Sequence, residues 1–384
     1  MLLTRGVMTK VHNPPKDLVP PHVQKLMPYK PGKPPTELQK ELGIEEFINL
    51  ASNENPLGPP ESALKAIKES SNLIHRYPEV GGLKLRQALA AHYNVKVENV
   101  AIGSGSESIL ANTIRAFLHK DDEVITADGT FIGFYVLINA QGIKLNKVPL
   151  KDYRFDLDAI AAAINEKTKI VYLCNPNNPT GTIFDRTEFE KFMNKVPEHV
   201  LVILDEAYFE FTRGDVDFPN SMQYRLDNVL TLRTFSKAYG MAGIRVGYGL
   251  GHEMLIDYIN RIKLPFEPSV VAQAAALAVL EDKEYLSKTL EVNASGMAYL
   301  SEELDNLGLN RVDSSANFIL VEMNSPEKVS YINDQLLRRG IAIRPLTAFG
   351  LPGCFRITIG LEEENHRLVA ALKELALRLG CQQQ

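Results

Sequence analysis

A lysine between hydroxyl and glycine residues stands in residues 234–248, which read Thr-Phe-Ser-Lys-Ala-Tyr-Gly-Met-Ala-Gly-Ile-Arg-Val-Gly-Tyr. The preceding run, residues 228–233, is short, apolar and partly β-branched, so the pattern predicts a strand that ends just before Lys237. A free lysine has a pKa of about 10.4 and needs desolvation or a cationic neighbour to act as a nucleophile near neutral pH. Arg245 could be that neighbour. The alternative interpretation is a surface lysine after a buried strand.

A carboxylate stands at the end of a second predicted strand. Asp205 follows the apolar run Val-Leu-Val-Ile-Leu of residues 200–204. Because an unpaired buried charge is costly or shifts its pKa, this carboxylate needs a cationic or hydrogen-bonded partner. A protonated pyridine nitrogen would serve, and so would a salt bridge or a magnesium ion, since Asp-Glu after a strand is also common at metal sites. Nucleotide hydrolysis is disfavoured because the chain has no Walker loop.

Two polar loops follow further predicted strands. Residues 103–108, Gly-Ser-Gly-Ser-Glu-Ser, precede a predicted helix, whose free N–H groups and positive dipole end suit a phosphate group. This loop fits neither the dinucleotide fingerprint nor the P-loop, and an ordinary helix cap at Ser104 or Ser106 is the alternative. Residues 175–181, Asn-Pro-Asn-Asn-Pro-Thr-Gly, are typical of a tight turn, yet they also offer amide side chains.

Four predicted strand ends therefore carry polar groups, near Gly105, Asn178, Asp205 and Lys237. The carboxyl ends of parallel strands lie at one edge of a sheet, where ligands bind in α/β proteins. Pyridoxal 5'-phosphate needs such a set: a lysine for its Schiff base, an anchor for its phosphate and an acid that keeps its ring nitrogen protonated. The sequence therefore predicts a pyridoxal phosphate site.

The elements that would position these groups alternate between helix and strand. Apolar residues spaced by threes and fours predict a helix with one buried face, formed by Ile109, Leu110, Ile114, Phe117 and Leu118. Continuous apolar strands between helices predict an α/β fold with a mostly parallel sheet covered on both faces. The expected strands are residues 97–102, 123–126, 169–174, 200–204 and 229–232, and the expected helices are residues 61–71, 83–93, 157–164 and 187–195.

The chain divides into three parts. Half of the 22 prolines lie in the first 60 residues, so residues 1–48 are predicted to be an extended N-terminal arm and linker that is mobile or lies across another surface, such as a partner subunit. Residues 49–268 are assigned to a large cofactor-binding domain. After Pro265 and Pro268, the helix-rich residues 269–307 and the strand-like residues 317–322, 341–344 and 355–359 predict a smaller α+β domain over residues 269–384.

Composition favours a globular protein that acts on small molecules. The 384 residues are 45% hydrophobic and 23% charged, and a net charge of -5 provides no basic surface for nucleic acid. Three scattered cysteines, Cys174, Cys354 and Cys381, predict neither disulfides nor a metal site and fit a reducing cytoplasm. No apolar run reaches 18 residues and the first ten residues lack a signal-like apolar core, so neither secretion nor membrane insertion is expected; Met1 or Met8 could be the start.

Six ordered motifs resemble those of the fold-type I pyridoxal phosphate aminotransferases, with their aspartate-aminotransferase-like fold, and within them those of the histidinol-phosphate aminotransferases. The likeness extends from about residue 26 to the C-terminus. The motifs are Leu-Ala-Ser-Asn-Glu-Asn-Pro-Leu-Gly (50–58), Arg-Tyr-Pro (76–78), Asn-Asn-Pro-Thr-Gly (177–181), Asp-Glu-Ala-Tyr (205–208), Thr-Phe-Ser-Lys-Ala-Tyr-Gly-Met-Ala-Gly-Ile-Arg (234–245) and Arg-Ile-Thr-Ile-Gly (356–360). Together they are specific for the fold and less specific for the substrate.

The resemblance implies a role for each residue of the cofactor site. Lys237 would carry the Schiff base and move a proton between the substrate's Cα and the cofactor. Asp205 would pair with the ring nitrogen and Phe131 would stack on the ring. The remaining contacts would be Asn178 and Tyr208 to the ring oxygen, and Ser106, the Glu107 backbone, Thr234, Ser236 and Arg245 to the phosphate, with Tyr77 reaching the cofactor phosphate of the other subunit of a homodimer.

The same resemblance implies the substrates. Arg356 would bind the carboxylate of glutamate in one half-reaction and the phosphate of L-histidinol phosphate in the other, since a guanidinium suits both anions. Arg344, Tyr29 and Asn55 are assigned to the substrate as well; a surface ion pair for Arg344 and simple packing for Tyr29 are the alternatives. The implied reaction is ping-pong transfer of an amino group between L-histidinol phosphate and 2-oxoglutarate, in histidine biosynthesis.

Other functions remain open on the same scaffold. An aromatic amino acid aminotransferase or a threonine-phosphate decarboxylase would also use an arginine clamp, and a non-catalytic binding or regulatory protein is the remote alternative. The chain departs from the family's usual pattern at Ser104 and Ser108, at Asp128-Gly129, and at Arg233, where a small residue is usual. We therefore expect that substrate specificity could differ.

Overall fold

A computed structural model describes residues 18–26, 43, 46–212 and 217–379 of the chain. In chain order the strands are β1 (Ile48–Asn49), β2 (Val100–Gly103), β3 (Glu123–Asp128), β4 (Lys144–Pro149), β5 (Thr168–Cys174), β6 (Leu201–Asp205), β7 (Val229–Thr234), β8 (Gly247–Leu250), β9 (Asn310–Val312), β10 (Phe318–Glu322), β11 (Ile341–Ala342), β12 (Arg344–Pro345) and β13 (Cys354–Thr358).

The α-helices alternate with these strands in the first two thirds of the chain and cluster towards its end. They are α1 (Pro21–Gln24), α2 (Glu61–Ser70), α3 (Leu83–Tyr93), α4 (Ser106–Phe117), α5 (Ile132–Gln141), α6 (Leu157–Ala163), α7 (Arg186–Met193), α8 (Ser221–Tyr224), α9 (Glu253–Ile262), α10 (Val270–Leu280), α11 (Lys283–Asn306), α12 (Pro326–Leu337) and α13 (Glu362–Leu379).

A seven-stranded sheet of order β2-β8-β7-β6-β5-β3-β4 forms the centre of the molecule. The five strands from β7 to β4 pair in parallel, and β8 lies antiparallel between β7 and β2. Consequently β2 runs in the same direction as the parallel strands, and the carboxyl ends of β2, β5, β6 and β7 all lie at one edge. The prediction of a mostly parallel sheet is confirmed.

The central strands are buried on both faces. Every residue of β6 and of β7 is buried, as continuous runs without alternation predict for a sheet covered on both sides. Helix α4 buries its predicted stripe, with Ile109, Leu110 and Ile114 each at most 2% exposed. These side chains join the largest hydrophobic cluster of the described residues, which packs α4, α5 and α9 onto the sheet.

The C-terminal third forms a four-stranded antiparallel sheet of order β12-β13-β10-β9. A second hydrophobic cluster, with side chains from α11, α12 and α13, covers it. Strand β1 pairs in parallel with β11, and Thr358 N–H donates to the Leu50 carbonyl over 2.8 Å. Strands β1 and β11 form a separate two-stranded sheet, and residues 50 and 53 bond to β13 at Thr358, so this segment packs with the C-terminal part although it precedes the first sheet in the chain. The predicted domain limits at residues 48 and 268 stay a prediction.

Local chemistry explains where several elements differ from their predicted limits. Residues 97–102 were expected to be one strand, but residues 97–99 form a 3-10 turn before β2. The helix-rich stretch 269–307 is two helices, because Asp282 caps α11 by accepting a hydrogen bond from Tyr285 N–H over 3.0 Å. Residues 18–26 are part of the proline-rich arm and include helix α1. This helix contacts α5 of the same chain. Among the described residues, no helix combines the length and apolar character needed to cross a membrane.

Candidate active site

A cavity of about 170 Å³ opens at the carboxyl edge of the seven-stranded sheet. It lies where β5, β6 and β7 end, beside the N-terminus of α4. The residues that line it are Ser106, Glu107, Phe131, Cys174, Asn178, Asp205, Ala207, Tyr208, Thr234, Ser236, Lys237, Ala242 and Arg245. Every predicted cofactor residue except Tyr77 is in this set. A larger cavity of about 480 Å³, near the start of β7 and the end of β8, contains none of the predicted site residues.

The N-terminus of α4 forms one side of the cavity. Gly105 caps the helix with a φ of 85°, and the cap makes no side-chain hydrogen bond, so the first turn offers its backbone N–H groups to an anion. Gly247, at the start of β8, packs directly against this loop, since a Cβ there would clash with the backbone of Gly105 and Ser106. The absence of a side chain at Gly247 therefore allows the loop to lie against the sheet.

Residues after β7 complete an anion site around this turn. Thr234 Oγ1 donates to Ser236 Oγ over 3.0 Å, and Arg245 Nη1 donates to the same oxygen over 3.4 Å. The guanidinium of Arg245 lies against Gly105, where a Cβ would meet it. Arg245 has a φ of 59°, a backbone conformation that is uncommon for non-glycine residues. A helix N-terminus, two hydroxyls and a guanidinium together suit a phosphate dianion.

The amine of Lys237 is partly buried in this cavity. Its Nζ atom donates to the Ser52 carbonyl over 3.4 Å and lies 5.8 Å from the centre of the Tyr208 ring. Burial and then the positive charge of Arg356 lower the pKa of this amine to about 8, from 10.5 for an ordinary lysine. A substantial fraction of the amine is therefore neutral just above neutral pH, and the neutral form is the nucleophile and the base.

The carboxylate of Asp205 is fixed by two donors. Tyr172 Oη donates to Asp205 Oδ2 over 2.7 Å, and Ala207 N–H donates to Oδ1 over 3.2 Å. Burial raises the pKa of Asp205 to about 6, whereas the hydrogen bonds from Tyr172 and Ala207 act in the opposite direction. A cationic group placed in the cavity would stabilise the ionised carboxylate further, which is what a protonated pyridine nitrogen requires of it.

An aromatic side chain and two hydrogen-bonding groups occupy the other walls. Phe131 is the N-cap of α5, and its ring lies so close to Gly133 that a Cβ there would clash with it. The hydroxyl of Tyr208 accepts a hydrogen bond from Asn53 Nδ2 over 2.9 Å. Asn178 Oδ1 accepts one from Arg356 Nη1. The Asn178 amide, the Tyr208 phenol and the Phe131 ring therefore all border the cavity.

Two arginines meet beside the cavity. Arg356 is 4% exposed, and its Nη2 atom donates to the Ala51 carbonyl over 2.8 Å. Arg344 lies opposite it on the adjacent antiparallel strand and donates from Nε to the same carbonyl over 3.2 Å. Both guanidiniums are therefore close enough to bind a single anionic group together.

Two predicted residues lie away from the cavity lining, and a third is not among the described residues. Tyr77 is 79% exposed and stacks on Phe266 with a centroid distance of 4.2 Å, so the chain does not bring it to its own cavity. Asn55 Nδ2 donates to Ala238 O and Thr289 Oγ1, and the residue is not part of the cavity lining. Tyr29 lies outside the described residues. The roles predicted for these three residues stay predictions.

Arg233, the departure that precedes Thr234, pairs with Glu206, the residue that follows Asp205. Successive residues of a strand point to opposite faces, so Glu206 points away from Asp205. Its Oε2 atom accepts hydrogen bonds from Arg233 Nε and Nη2 over 2.9 and 2.6 Å, and both side chains are 1% exposed. The unusual Arg233 thus pairs with Glu206 outside the cavity. No group of three or more His, Cys, Asp or Glu residues that could hold a metal ion occurs in the described ranges.

Some cavity residues were missed by reasoning from the sequence. Cys174, Ala207 and Ala242 line the cavity but offer no strong chemical signal of their own. Asn53 could have been found, because it stands in the same Asn-Glu-Asn motif as Asn55. Tyr172 gave no signal because an aromatic residue within an apolar strand is ordinary core.

The set of groups fits pyridoxal 5'-phosphate. An anion site, an amine, an aromatic ring and a buried carboxylate line one cavity. These match, in turn, a phosphate, an aldehyde, a flat ring and a basic ring nitrogen. The carboxylate and the anion site are supplied by different elements, β6 and the N-terminus of α4, so the two ends of such a molecule would be held separately.

Comparisons with known proteins agree with this geometry. Residues 45–372 match the family model described as aminotransferase class I and II. A histidinol-phosphate aminotransferase from Moorella thermoacetica is 42% identical over 353 residues, which are 91% of this chain and 91% of that protein. The crystal structure of histidinol-phosphate aminotransferase from Sinorhizobium meliloti in complex with pyridoxal-5'-phosphate has a TM-score of 0.85 at 32% identity and covers 94% of this chain and 97% of that chain.

A further solved structure concerns the fold. Aspartate aminotransferase from Thermus thermophilus with maleate has a TM-score of 0.80 at 23% identity, covering 94% of this chain and 99% of that chain. At this identity the likeness extends to architecture and no further. The prediction of an aspartate-aminotransferase-like fold is confirmed.

Proposed function

The chain belongs to the class I and II aminotransferase family, and from this premise we propose that it is a pyridoxal phosphate enzyme that transfers an amino group between L-histidinol phosphate and 2-oxoglutarate. The 42% identity to a histidinol-phosphate aminotransferase over nearly the whole chain supports this choice of substrate. The observation that carries the proposal is that Lys237, Asp205 and Arg245 line one cavity, at the edge of the sheet beside Arg356.

The cofactor would be held at three points. Ser106, Ser236, Arg245 and the first turn of α4 would bind its phosphate, Phe131 would lie against its ring, and Asp205 would accept a hydrogen bond from its ring nitrogen. When bound, pyridoxal phosphate withdraws electrons from the substrate's Cα, which makes the proton on that carbon acidic. Asn178 and Tyr208 would hydrogen-bond the ring oxygen.

Lys237 would act on the proton of the substrate's Cα. Its Nζ atom is the amine of this cavity, and a pKa of about 8 leaves it partly neutral at physiological pH. A neutral amine can take up the proton, and its protonated form can return it, so one residue serves as base and acid. Burial supports this role because it favours the neutral form.

Arg356 and Arg344 would bind the anionic group of each substrate. A planar guanidinium suits a carboxylate and a phosphate equally well, which the two half-reactions require. Both arginines donate to the Ala51 carbonyl, which is a neutral acceptor. A substrate anion would take the place of this carbonyl as a negatively charged acceptor. A carboxylate or phosphate can also accept two parallel N–H bonds from one guanidinium, which favours this exchange.

We also propose that the enzyme is a homodimer. Apolar side chains that are more than 40% exposed occur together at residues 73–83 and 262–266, among them Ile74 at 71%, Tyr77 at 79% and Leu264 at 64%. Exposed apolar patches of this kind are typical of subunit interfaces. A partner covering this patch would also explain why Tyr77 lies away from the cavity of its own chain. A cytoplasmic location stays a prediction from cysteine usage.

The substrate assignment is tested by single half-reactions. Adding one amino donor at a time to the cofactor-loaded enzyme, and following conversion of the cofactor to its amine form by absorbance, ranks L-histidinol phosphate against phenylalanine, tyrosine and phosphothreonine. The proposal predicts the highest kcat/KM for L-histidinol phosphate. Preference for phenylalanine or tyrosine would assign the enzyme to aromatic amino acids, and release of carbon dioxide from phosphothreonine would make it a decarboxylase.

A further inference from the structure

The phenol of Tyr172 lies directly behind the carboxylate of Asp205. Tyr172 is in the middle of β5, and its neighbour in the parallel β6 is Ile203, two residues before Asp205. Side chains two residues apart on a strand share one face of a sheet, so the Tyr172 ring extends towards Asp205 along that face. Its hydroxyl reaches Asp205 Oδ2 at 2.7 Å. Tyr172 is not part of the cavity lining, and it reaches the site through this carboxylate and through the neighbouring side chain of Cys174.

The ring of Tyr172 is held in place by its surroundings. It is 0% exposed and stacks on Phe134, with ring centroids 4.2 Å apart and an angle of 10° between the planes. Phe134 belongs to the first turn of α5, whose N-cap is Phe131 of the cavity wall. The phenol therefore has little freedom to turn away from Asp205, and the pair is fixed before any ligand enters.

The two oxygens of Asp205 are oriented by different donors. Oδ2 accepts from Tyr172, and Oδ1 accepts from the N–H of Ala207 over 3.2 Å. A carboxylate has about four lone-pair positions on its two oxygens. Asp205 therefore keeps acceptor capacity for a donor in the cavity, while its plane is set by two bonds from the protein.

Burial and two nearby carboxylates favour the neutral form of Asp205, and the two donors oppose them. Burial is the largest cause that raises its pKa, and the carboxylates of Glu206 and Glu107 act in the same direction. Tyr172 provides the largest opposing contribution, followed by the N–H of Ala207. Burial also raises the pKa of Tyr172 well above its usual value, so the phenol keeps its proton and remains a donor.

We propose that Tyr172 is a positioning residue, which holds Asp205 as an oriented anion and thereby keeps the ring nitrogen of the bound cofactor protonated. This inference rests on the proposed function, because it assumes that pyridoxal phosphate occupies the cavity. The hydrogen bond makes the carboxylate a weaker base. In the shared bond between Asp205 and the ring nitrogen, the proton therefore stays on the nitrogen. Without the phenol, this proton shifts towards the carboxylate of Asp205.

The test is Tyr172→Phe, which removes the hydroxyl and retains the ring that stacks on Phe134. The protein is loaded with pyridoxal phosphate labelled with 15N in the ring, and the 15N chemical shift is recorded together with the dissociation constant of the cofactor. We expect a pyridinium shift in the unchanged enzyme and a move towards the neutral pyridine value in the variant. The dissociation constant should rise about tenfold, as expected for loss of one hydrogen bond to a charged group.

Tyr248→Phe is the matched control. Tyr248 is also 0% exposed and lies in the same sheet, but its hydroxyl pairs with that of Tyr93 over 2.6 Å. We expect its 15N shift and dissociation constant to equal those of the unchanged enzyme. Equal values in Tyr172→Phe and Tyr248→Phe, with normal cofactor binding in both, would overturn the role of Tyr172 and leave the proposed function intact. Failure of the unchanged enzyme to bind the cofactor would overturn both.

A second substitution covers the case in which Tyr172→Phe does not fold. Incorporation of 3-fluorotyrosine at position 172 retains the ring and the hydroxyl, and makes the phenol a stronger donor. The proposal predicts that the 15N signal keeps its neutral-pH value down to a lower pH than in the unchanged enzyme, because a carboxylate that is a weaker base takes up a proton only at lower pH. An unchanged pH profile, measured against the same substitution at position 248, would contradict the proposal.

Discussion

Arg344 and Arg356 face each other on adjacent antiparallel strands and donate to one acceptor, the carbonyl of Ala51, over 3.2 and 2.8 Å. Like charges directly opposite in a sheet are unfavourable, so such a pair is expected where an anion binds. Residues 48 and 49 pair with β11, and the Leu50 carbonyl accepts from Thr358 of β13, which brings the Ala51 carbonyl to the two guanidiniums. The two arginines and this carbonyl together form the proposed substrate side of the site.

Arg356→Lys should therefore reduce kcat/KM about 100-fold for both L-histidinol phosphate and glutamate, since losing the planar charged fork costs about 3 kcal/mol and 1.4 kcal/mol corresponds to a factor of ten. Steady-state kinetics of the two half-reactions measure this. Arg338→Lys is the control, because Arg338 is exposed on α12 and pairs with Asp334. A change of less than twofold in Arg356→Lys would contradict the anion-clamp role.

The lowered pKa of Lys237 predicts the pH dependence of cofactor capture. Only the neutral amine attacks the aldehyde, and burial lowers its pKa to about 8. The rate at which cofactor-free protein takes up pyridoxal phosphate should therefore rise about tenfold per pH unit below pH 8 and level off above it. Stopped-flow absorbance measures this rate.

Lys263→Ala is the control for that profile. Burial lowers the pKa of Lys263 also to about 8, but this amine is not part of the cavity lining. The variant should show the same rates and the same midpoint as the unchanged protein. A profile that continues to rise to pH 10 in the unchanged protein would mean that Lys237 has the pKa of an ordinary lysine.

Gly247 tests the anion site without removing any of its polar groups. A Cβ at this position would clash with the backbone of Gly105 and Ser106, so Gly247→Ala should displace the first turn of α4. We expect the cofactor to bind at least about fivefold more weakly, because overpacking of this kind costs about 1–3 kcal/mol. Gly243→Ala is the control, since a Cβ there meets no atom within 4 Å. Equal affinities for the two variants, by fluorescence titration, would exclude the expected displacement.

Tyr77 tests the homodimer. If the side chain completes the site of the partner subunit, the Lys237→Ala and Tyr77→Ala enzymes will each be impaired. A dimer of one Lys237→Ala subunit and one Tyr77→Ala subunit will contain one intact site, with Lys237 from the second subunit and Tyr77 from the first. After unfolding and refolding an equal mixture, activity should recover to about a quarter of the unchanged enzyme, as random pairing of two subunits predicts. Activity that stays at the mean of the separate variants would show that Tyr77 acts within its own chain or not at all.

The sequence predicted where the parallel strands end, because a largely apolar run is followed by polar residues at each of these points. Asp205 and Lys237 follow fully buried strands, and the structure places both in the cavity. The antiparallel β8 was not predicted, since Gly-Tyr-Gly-Leu is short and rich in glycine and reads as a loop. Its position between β2 and β7 depends on pairing partners distant in sequence.

Side-chain pairing could not be predicted in the same way. Arg233 was regarded as a departure with consequences for the substrate, whereas the structure pairs it with Glu206. Asn53 and Asn55 stand two residues apart in one motif, and only the fold shows that Asn53 reaches Tyr208 while Asn55 bonds to Ala238 and Thr289. Tyr172 became visible as a neighbour of Asp205 only through the register of β5 and β6. Each of these contacts joins segments whose relation is set by tertiary packing.

The most direct test of the central claim is the chemical identity of the residue that carries the cofactor. Borohydride reduction of the loaded enzyme converts the bond between the aldehyde carbon and a lysine amine into a stable secondary amine, and mass spectrometry of the digested protein locates it. The account predicts one modified residue, Lys237, and none in Lys237→Ala. Modification of another lysine, or no modification of the loaded enzyme, would contradict it.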